Sequence, residues 1–157
     1  MVDDLKKKKA DGKRIALKQK HEVDYLKKIA NKSEYILLLP NDLVSFNAVL
    51  QCPGVKKLLK TVPCPIFAIF PIVDQNLLTK EEISVLNKMG YADINALEFS
   101  KTVENLADII IIDENQKIYK DQIQNLGFQV YVTDLKIKNK KEAFELASFL
   151  FNLFPLK

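Results

Sequence analysis

The residues best suited to chemistry fall in three short segments. Pro40-Asn41-Asp42-Leu43-Val44-Ser45-Phe46-Asn47 joins an apolar run to a helical pattern. Backbone N–H groups at such a helix start, with Asn41, Ser45 and Asn47 beside them, are the parts of an anion site. Asp113-Glu114 follows the run Ile109-Ile110-Ile111-Ile112. Paired acids after a strand suit a metal, and they equally suit a turn. Thr133-Asp134 follows Val130-Tyr131-Val132 and would face the same crevice. No side chain is marked as nucleophile or base, so catalytic residues stay unassigned. Cys52 and Cys64 sit beside the turns Cys52-Pro53-Gly54 and Cys64-Pro65 and read as small hydrophobic residues. His21, among Lys20, Glu22 and Asp24, reads as a surface position. There is no Walker loop, no GxGxxG and no paired His. Arg14 is the one arginine. Arg is the usual bidentate reader of phosphate, so a phosphate site here would depend on backbone N–H groups, helix N-termini or Lys.

Composition sets the frame for these segments. A chain of 157 residues with 48% hydrophobic content predicts one domain with a sizeable core. Two cysteines without a His or Cys cluster exclude a disulfide scaffold and a four-ligand zinc site. No apolar run reaches the roughly 18 residues of a membrane span, and the charged start is no secretory signal. The expected compartment is the cytoplasm. The net charge of +4 is unevenly placed. Residues 1–32 hold ten Lys and Arg14 against five acids, a net of +6, and the body from 33 onward is −2. The chain therefore divides into a basic leader and helix, 1–32, and an α/β domain, 33–157. Lys6-Lys7-Lys8-Lys9 could touch nucleic acid or an anionic membrane. No aromatic residue interleaves with it, and the body is acidic, which argues against a nucleic-acid partner.

The apolar periodicity supplies the elements. Residues 16–31 read as a helix with Leu17, Val23, Leu26, Ile29 and Ala30 on its apolar face. Strands are expected at 35–39, 65–70, 109–112 and 130–132, each short and continuously apolar, as buried parallel strands are. Ser45 is the expected N-cap of the next helix, and Val55–Lys60 forms a short one. Thr79-Lys80-Glu81-Glu82 reads as a capping box and Gly90 as a helix stop. Ile94–Leu97 reads as a short extended piece. Helices are expected over 100–106, 118–126 and 140–153. Alternating strands and helices mean a Rossmann-like α/β fold, a parallel sheet with helices on both faces. Ligands of such sheets bind beyond the carboxyl ends of the strands, at a switch in strand order. The segments in question are 40–47, 71–79, 113–116 and 133–139.

Taken in order, the same residues resemble a known family. Asn41 through Lys57, with Val44-Ser45 and Cys52-Pro53-Gly54-Val55-Lys56, is similar to a segment of the 2-phospho-L-lactate transferases. There a strand runs into S-N-P-x-x-S-I-G-P and then V-P-G-I-R. Pro65 to Val73 resembles the family's P-V-V-A-V-S-P-I-V. Ile111-Ile112-Asp113 resembles V-I-D, and Leu126-Gly127 with Val132-Thr133-Asp134 resembles L-G and V-T-D-T. The resemblance spans about residues 33–150 and covers the C-terminal half of a family about twice this length. It implies a Rossmann-like fold and transfer of a phospholactyl-type group from a guanosine diphosphate-activated donor to a deazaflavin precursor, assisted by Mg²⁺. It implies that Asn41 and Ser45 hold donor phosphates and that Thr133 and Asp134 line the cleft. The signature also departs from the family. Pro40 stands for Ser, Asp42 for Pro, Asn47 for Gly and Ala48 for Pro. Asp74 and Gln75 replace glycines, and Thr79-Lys80-Glu81 replaces G-P-A.

Three functions follow as expectations. The chain is a truncated transferase half completed by an N-terminal-half partner chain, or a non-catalytic binding or regulatory relative, or a basic-tailed nucleic-acid binder. A sheet cut in half leaves an open edge or an uncovered apolar face, so either the basic N-terminal helix covers the gap or the chain pairs with a second copy or a partner.

Overall fold

The computed structural model describes residues 23–71 and 78–154. Lys6–Lys9, Arg14, His21, Asp74 and Gln75 lie outside the described residues. Residues 23–30 are helical (α1). Then follow β1 (Ile36–Leu38), α2 (Leu43–Gln51), α3 (Val55–Leu59), β2 (Ile66–Ile69), α4 (Lys80–Lys88) and α5 (Ala96–Thr102). The chain continues with β3 (Ile109–Asp113), a 3₁₀ turn (Glu114–Tyr119), α6 (Lys120–Asn125), β4 (Gln129–Thr133) and α7 (Lys140–Leu153). The four strands form one all-parallel sheet in the order β1-β2-β3-β4. The expected Rossmann-like α/β class is what the chain adopts.

Side chains alternate across the sheet, as the pleat requires. Ile66, Ala68, Phe70, Ile110, Ile112 and Val130 point to one face, where α2 to α6 bring Leu43, Leu50, Leu86, Phe99 and Ile123. Phe67, Ile69 and Ile111 point to the other, where α7 brings Leu146, Phe149, Leu150 and Leu153. Parallel crossovers are right-handed. A sheet wound in one direction therefore places every crossover helix on the same face. Among the described residues only α7, which follows the last strand, reaches the opposite face. The switch in strand order expected to mark the ligand site does not occur among the described strands.

Several local expectations are corrected. Ser45 does not cap α2: Asp42 does, with extended φ/ψ of −146°/158° and its carboxylate accepting the Ser45 backbone N–H. Starting there puts Leu43, Asn47 and Leu50 on the buried face. Ile94–Leu97 is not extended. Asn95 caps α5, whose helix begins at Ala96 and has ended by Val103, earlier than the periodicity suggested. Gln116 assists by accepting the Ala96 N–H at 3.0 Å. Leu26 and Ile29, expected on the apolar face of the first helix, are exposed. Ala30 is buried instead, and Val23 lies 3.2 Å from where a Cβ on Gly54 would stand. Gly54 has φ of +93°, so any side chain there meets both strain and Val23.

The two faces make a stability prediction. Phe99 is fully buried among the crossover helices, whereas Phe144 on α7 is 73% exposed. Phe99→Ala is expected to cost about 3–5 kcal/mol in denaturant unfolding. Phe144→Ala should stay within about 0.5 kcal/mol.

Candidate functional site

The carboxyl ends of the strands gather most of the residues singled out from the sequence. Register pairs Asp113 with Thr133. Asp113 is buried, and its carboxylate accepts the Leu135 N–H at 3.0 Å and the Asn115 N–H at 3.1 Å. It clamps the end of β3 to the segment after β4, which is a structural duty. Thr133 and Asp134 line a small depression of about 150 Å³ with Lys136, Glu142, Glu145 and Leu146. Asp134 Oδ1 accepts the Lys136 N–H at 2.9 Å. Asn41 lies on the far side of Leu146, in an apolar groove of about 580 Å³ between α7 and the ends of β1 and β2. Leu37, Leu39, Ile69, Leu135, Ile137 and Leu150 line it. Three interstrand steps separate β1 from β4, or about 14 Å. Asn41 and Thr133 therefore flank an extended span and cannot share one phosphate.

Asn47 is not part of this rim. It is buried on α2 and donates its side-chain amide to the Leu43 carbonyl at 2.7 Å and to the Tyr91 hydroxyl at 3.0 Å. Both amide hydrogens are thus committed to fixing α2 against the turn after α4. The expected role of Asn47 in binding is replaced by a packing role. Ser45 is exposed in the first turn of α2, and its N–H donates to Asp42 Oδ1 at 2.7 Å.

The electrostatics at the starts of α2 and α4 oppose an anion. Hydrogen bonds from the Ser45 backbone and then its hydroxyl hold the Asp42 carboxyl below the usual carboxylate range. At α4 the expected capping box is present. Glu82 accepts from both the Thr79 N–H and its hydroxyl at 2.8 Å, and the Thr79 oxygen accepts the Glu82 N–H at 3.2 Å. The Thr79 backbone and then its hydroxyl lower the Glu82 carboxyl, while the charge of Asp42 works in the opposite direction. Each helix start, where N–H groups and the dipole would welcome a phosphate, already carries an internal carboxylate.

The Mg²⁺ implied by the family resemblance finds no cage here. Mg²⁺ takes oxygen ligands in near-ideal octahedral geometry. Among the described residues, no three His, Cys, Asp or Glu side chains converge, and the two oxygens of Asp113 each accept a backbone N–H. Among the described residues no helix is long and apolar enough to cross a membrane.

A larger cavity, about 690 Å³, opens at the opposite, amino ends of the strands. Lys60, Cys64, Asp108, Asn105 and Gln129 contribute its polar wall. Asp108 accepts the Ile66 N–H at 2.8 Å. Burial, and secondarily the charge of Asp108, push the Cys64 thiol up, so it stays protonated and poorly nucleophilic. This is the wrong end of a parallel sheet for ligand chemistry. Cys52 donates its thiol to the Ala48 carbonyl at 3.6 Å. Among the described residues neither cysteine gains a base.

The residues missed from the sequence are Lys136, Glu142 and Glu145. A signal for them existed. Asn139 caps α7 by accepting the N–H groups of Lys141 and Glu142, and its amide donates to Glu142 Oε1 at 2.9 Å. An Asn followed three residues later by Glu is a capping pair that fixes where α7 begins.

No protein-family model matches the chain, and no curated protein matches it significantly.

Asp42 offers a direct test of the α2 start. Its folded pKa lies below the ordinary 3.8. The stabilisation from the ionised cap is therefore fully present above that value and fades as pH falls through the folded value. Asp42→Ala should cost about 1 kcal/mol at pH 7. Asp42→Asn keeps the cap and should lose only the charge contribution, about 0.3–1 kcal/mol. Unfolding curves of wild type and Asp42→Asn should converge as pH falls through the folded value, where the carboxylate becomes protonated.

Proposed function

We propose that the chain is a non-catalytic binding or regulatory relative of the 2-phospho-L-lactate transferases, built on the scaffold of their C-terminal half. The observation that carries this reading is the pair of carboxylates, Asp42 and Glu82, on the two helix starts. Phosphoryl-type transfer works by positioning and by neutralising negative charge. A rim that presents its own carboxylates, without a cluster of acidic metal ligands among the described residues, opposes both. The substituted signature agrees. Asp42 and Asn47 stand where the family has Pro and Gly, and Asn47 serves the core.

One observation favours a second reading, a transferase half completed by a partner chain. Asn41, Ser45, Thr133 and Asp134 are retained near the carboxyl edge, and three interstrand steps, about 14 Å, separate β1 from β4, a span suited to an elongated nucleotide-type donor. In that reading the guanine nucleotide donor, the deazaflavin precursor and Mg²⁺ would meet residues supplied largely by the partner.

The deciding measurement has two parts. Titration calorimetry of the chain with GDP and Mg²⁺ is expected to show no binding up to about 1 mM, the weak end of specific recognition. Incubation with the activated donor and deazaflavin precursor is expected to release no GMP. GMP release by the chain alone overturns the non-catalytic reading. GMP release only after adding a separately expressed N-terminal half of a family member selects the partner reading.

A further inference from the structure

Among the described residues β1 is an edge of the sheet, and that edge has a specific complementarity to itself. The Ile36 N–H donates to the Pro65 carbonyl at 2.9 Å, so the backbone groups of Ile36 face β2. Along a parallel strand successive residues face opposite sides. Those of Leu38 therefore also face β2, and those of Tyr35, Leu37 and Leu39 face away from it. All three outward residues carry an N–H, and Pro40, which lacks one, is out of the row. The edge is also unguarded. Natural sheets protect edges with charge, proline or a bulge. The stretch Tyr35 to Leu39 has none of these, and Leu39 is 66% exposed at its end. The opposite edge, β4, carries the polar Gln129 and Thr133.

We propose that a second copy of this chain pairs antiparallel along β1, with Leu37 opposite the Leu37 of its mate, to give a continuous eight-stranded sheet. In this register Leu37 faces Leu37 as a hydrogen-bonded pair that exchanges both N–H···O bonds. Tyr35 faces Leu39 of the mate, and the reverse. The outward N–H and C=O groups of the three residues are then all matched. Tyr35, Leu37 and Leu39 share the α7 face of the sheet, where Leu37 and Leu39 line the groove and Tyr35 stacks on Phe154 at 3.9 Å. Exposed Leu39 thus comes to rest against an aromatic ring already held in place, a favourable cross-strand pair. A two-fold axis normal to the sheet generates the whole contact, as self-complementary dimers require. A copy bound in this way is compatible with the non-catalytic reading. It excludes a partner chain's strand from the same edge.

The test uses the full chain. Wild type should sediment as a dimer at about 10 μM, and Leu39→Lys, with an unchanged circular dichroism spectrum, should raise the dimer dissociation constant at least roughly tenfold. Register is read by disulfide trapping in a chain with Cys52→Ala and Cys64→Ala. Leu37→Cys should cross-link under mild oxidation. A hydrogen-bonded pair places its Cα atoms about 5.5 Å apart, within the roughly 4.4–6.8 Å of disulfides. Leu39→Cys should not cross-link, because its counterpart lies about 13 Å along the strand. A wild-type monomer at about 100 μM, or cross-linking through position 39 and not 37, overturns the proposal.

Discussion

The constraint on which the rest of the structure depends is the direction in which the sheet is wound. Four parallel strands laid side by side in chain order oblige every crossover to turn the same way. The helices α2 to α6 therefore crowd one face, and its core is dense. Phe99, Leu86, Ile110, Ile112 and Ile123 are almost completely buried there. Among the described residues the other face is left to a single helix. Helix α7 covers Phe67, Ile69 and Ile111 with its inner residues, yet has no buried residue of its own. Phe144, Phe151 and Ile137 remain exposed around it. The apolar groove beside α7 follows from this winding: one helix is too narrow to cover four strands.

Winding also decides where a ligand could bind. Doubly wound sheets create a crevice where the order reverses. A sheet wound one way has no such crevice among its described strands, and its carboxyl rim is an open ledge. On this ledge the polar residues are mostly engaged with the chain itself. Asp113 holds the segment after β4, Asp134 turns back on Lys136, and Asp42 and Glu82 fill their helix starts. A carboxylate at a helix start stabilises the helix through the same N–H groups and dipole that would attract a phosphate. Stability and anion binding draw on the same donors, and here the donors serve stability.

How far this was legible in the sequence differs by element. Strands β2 and β3 were readable because they are buried on both faces and so are apolar without interruption. Helix α7 was readable from end to end because its apolar periodicity is long. The capping box at Thr79 depends on residues within four positions of each other and needs no tertiary information. Ser45 and Ile94–Leu97 were not readable for the opposite reason. Asp42 and Ser45 are both good caps, and the choice was made by Leu43, Asn47 and Leu50 needing the same inward face. Ile94 is buried just before the cap of α5, a local pattern that looks like a strand. Within the candidate site, the clustering of Thr133 with Asp113 followed from strand register. The diversion of Asn47 into the core required Tyr91, 44 positions away.

The two edges of the sheet show how this chain divides its protection. β4 carries the polar Gln129 and Thr133 at its two ends, and the Asp113 clamp holds the segment that follows it. β1 is only three residues long, and shortness is itself a defence, because few outward groups can be paired. Yet Tyr35 and Leu39 extend the same aliphatic-aromatic row past both of its ends, and Pro40 terminates it only after Leu39. An edge meant to stay solitary would place its proline or a lysine within the outward row. Here the proline falls in the inward one, where it cannot block pairing. That placement is the physical reason for regarding β1 as an interface and β4 as a boundary.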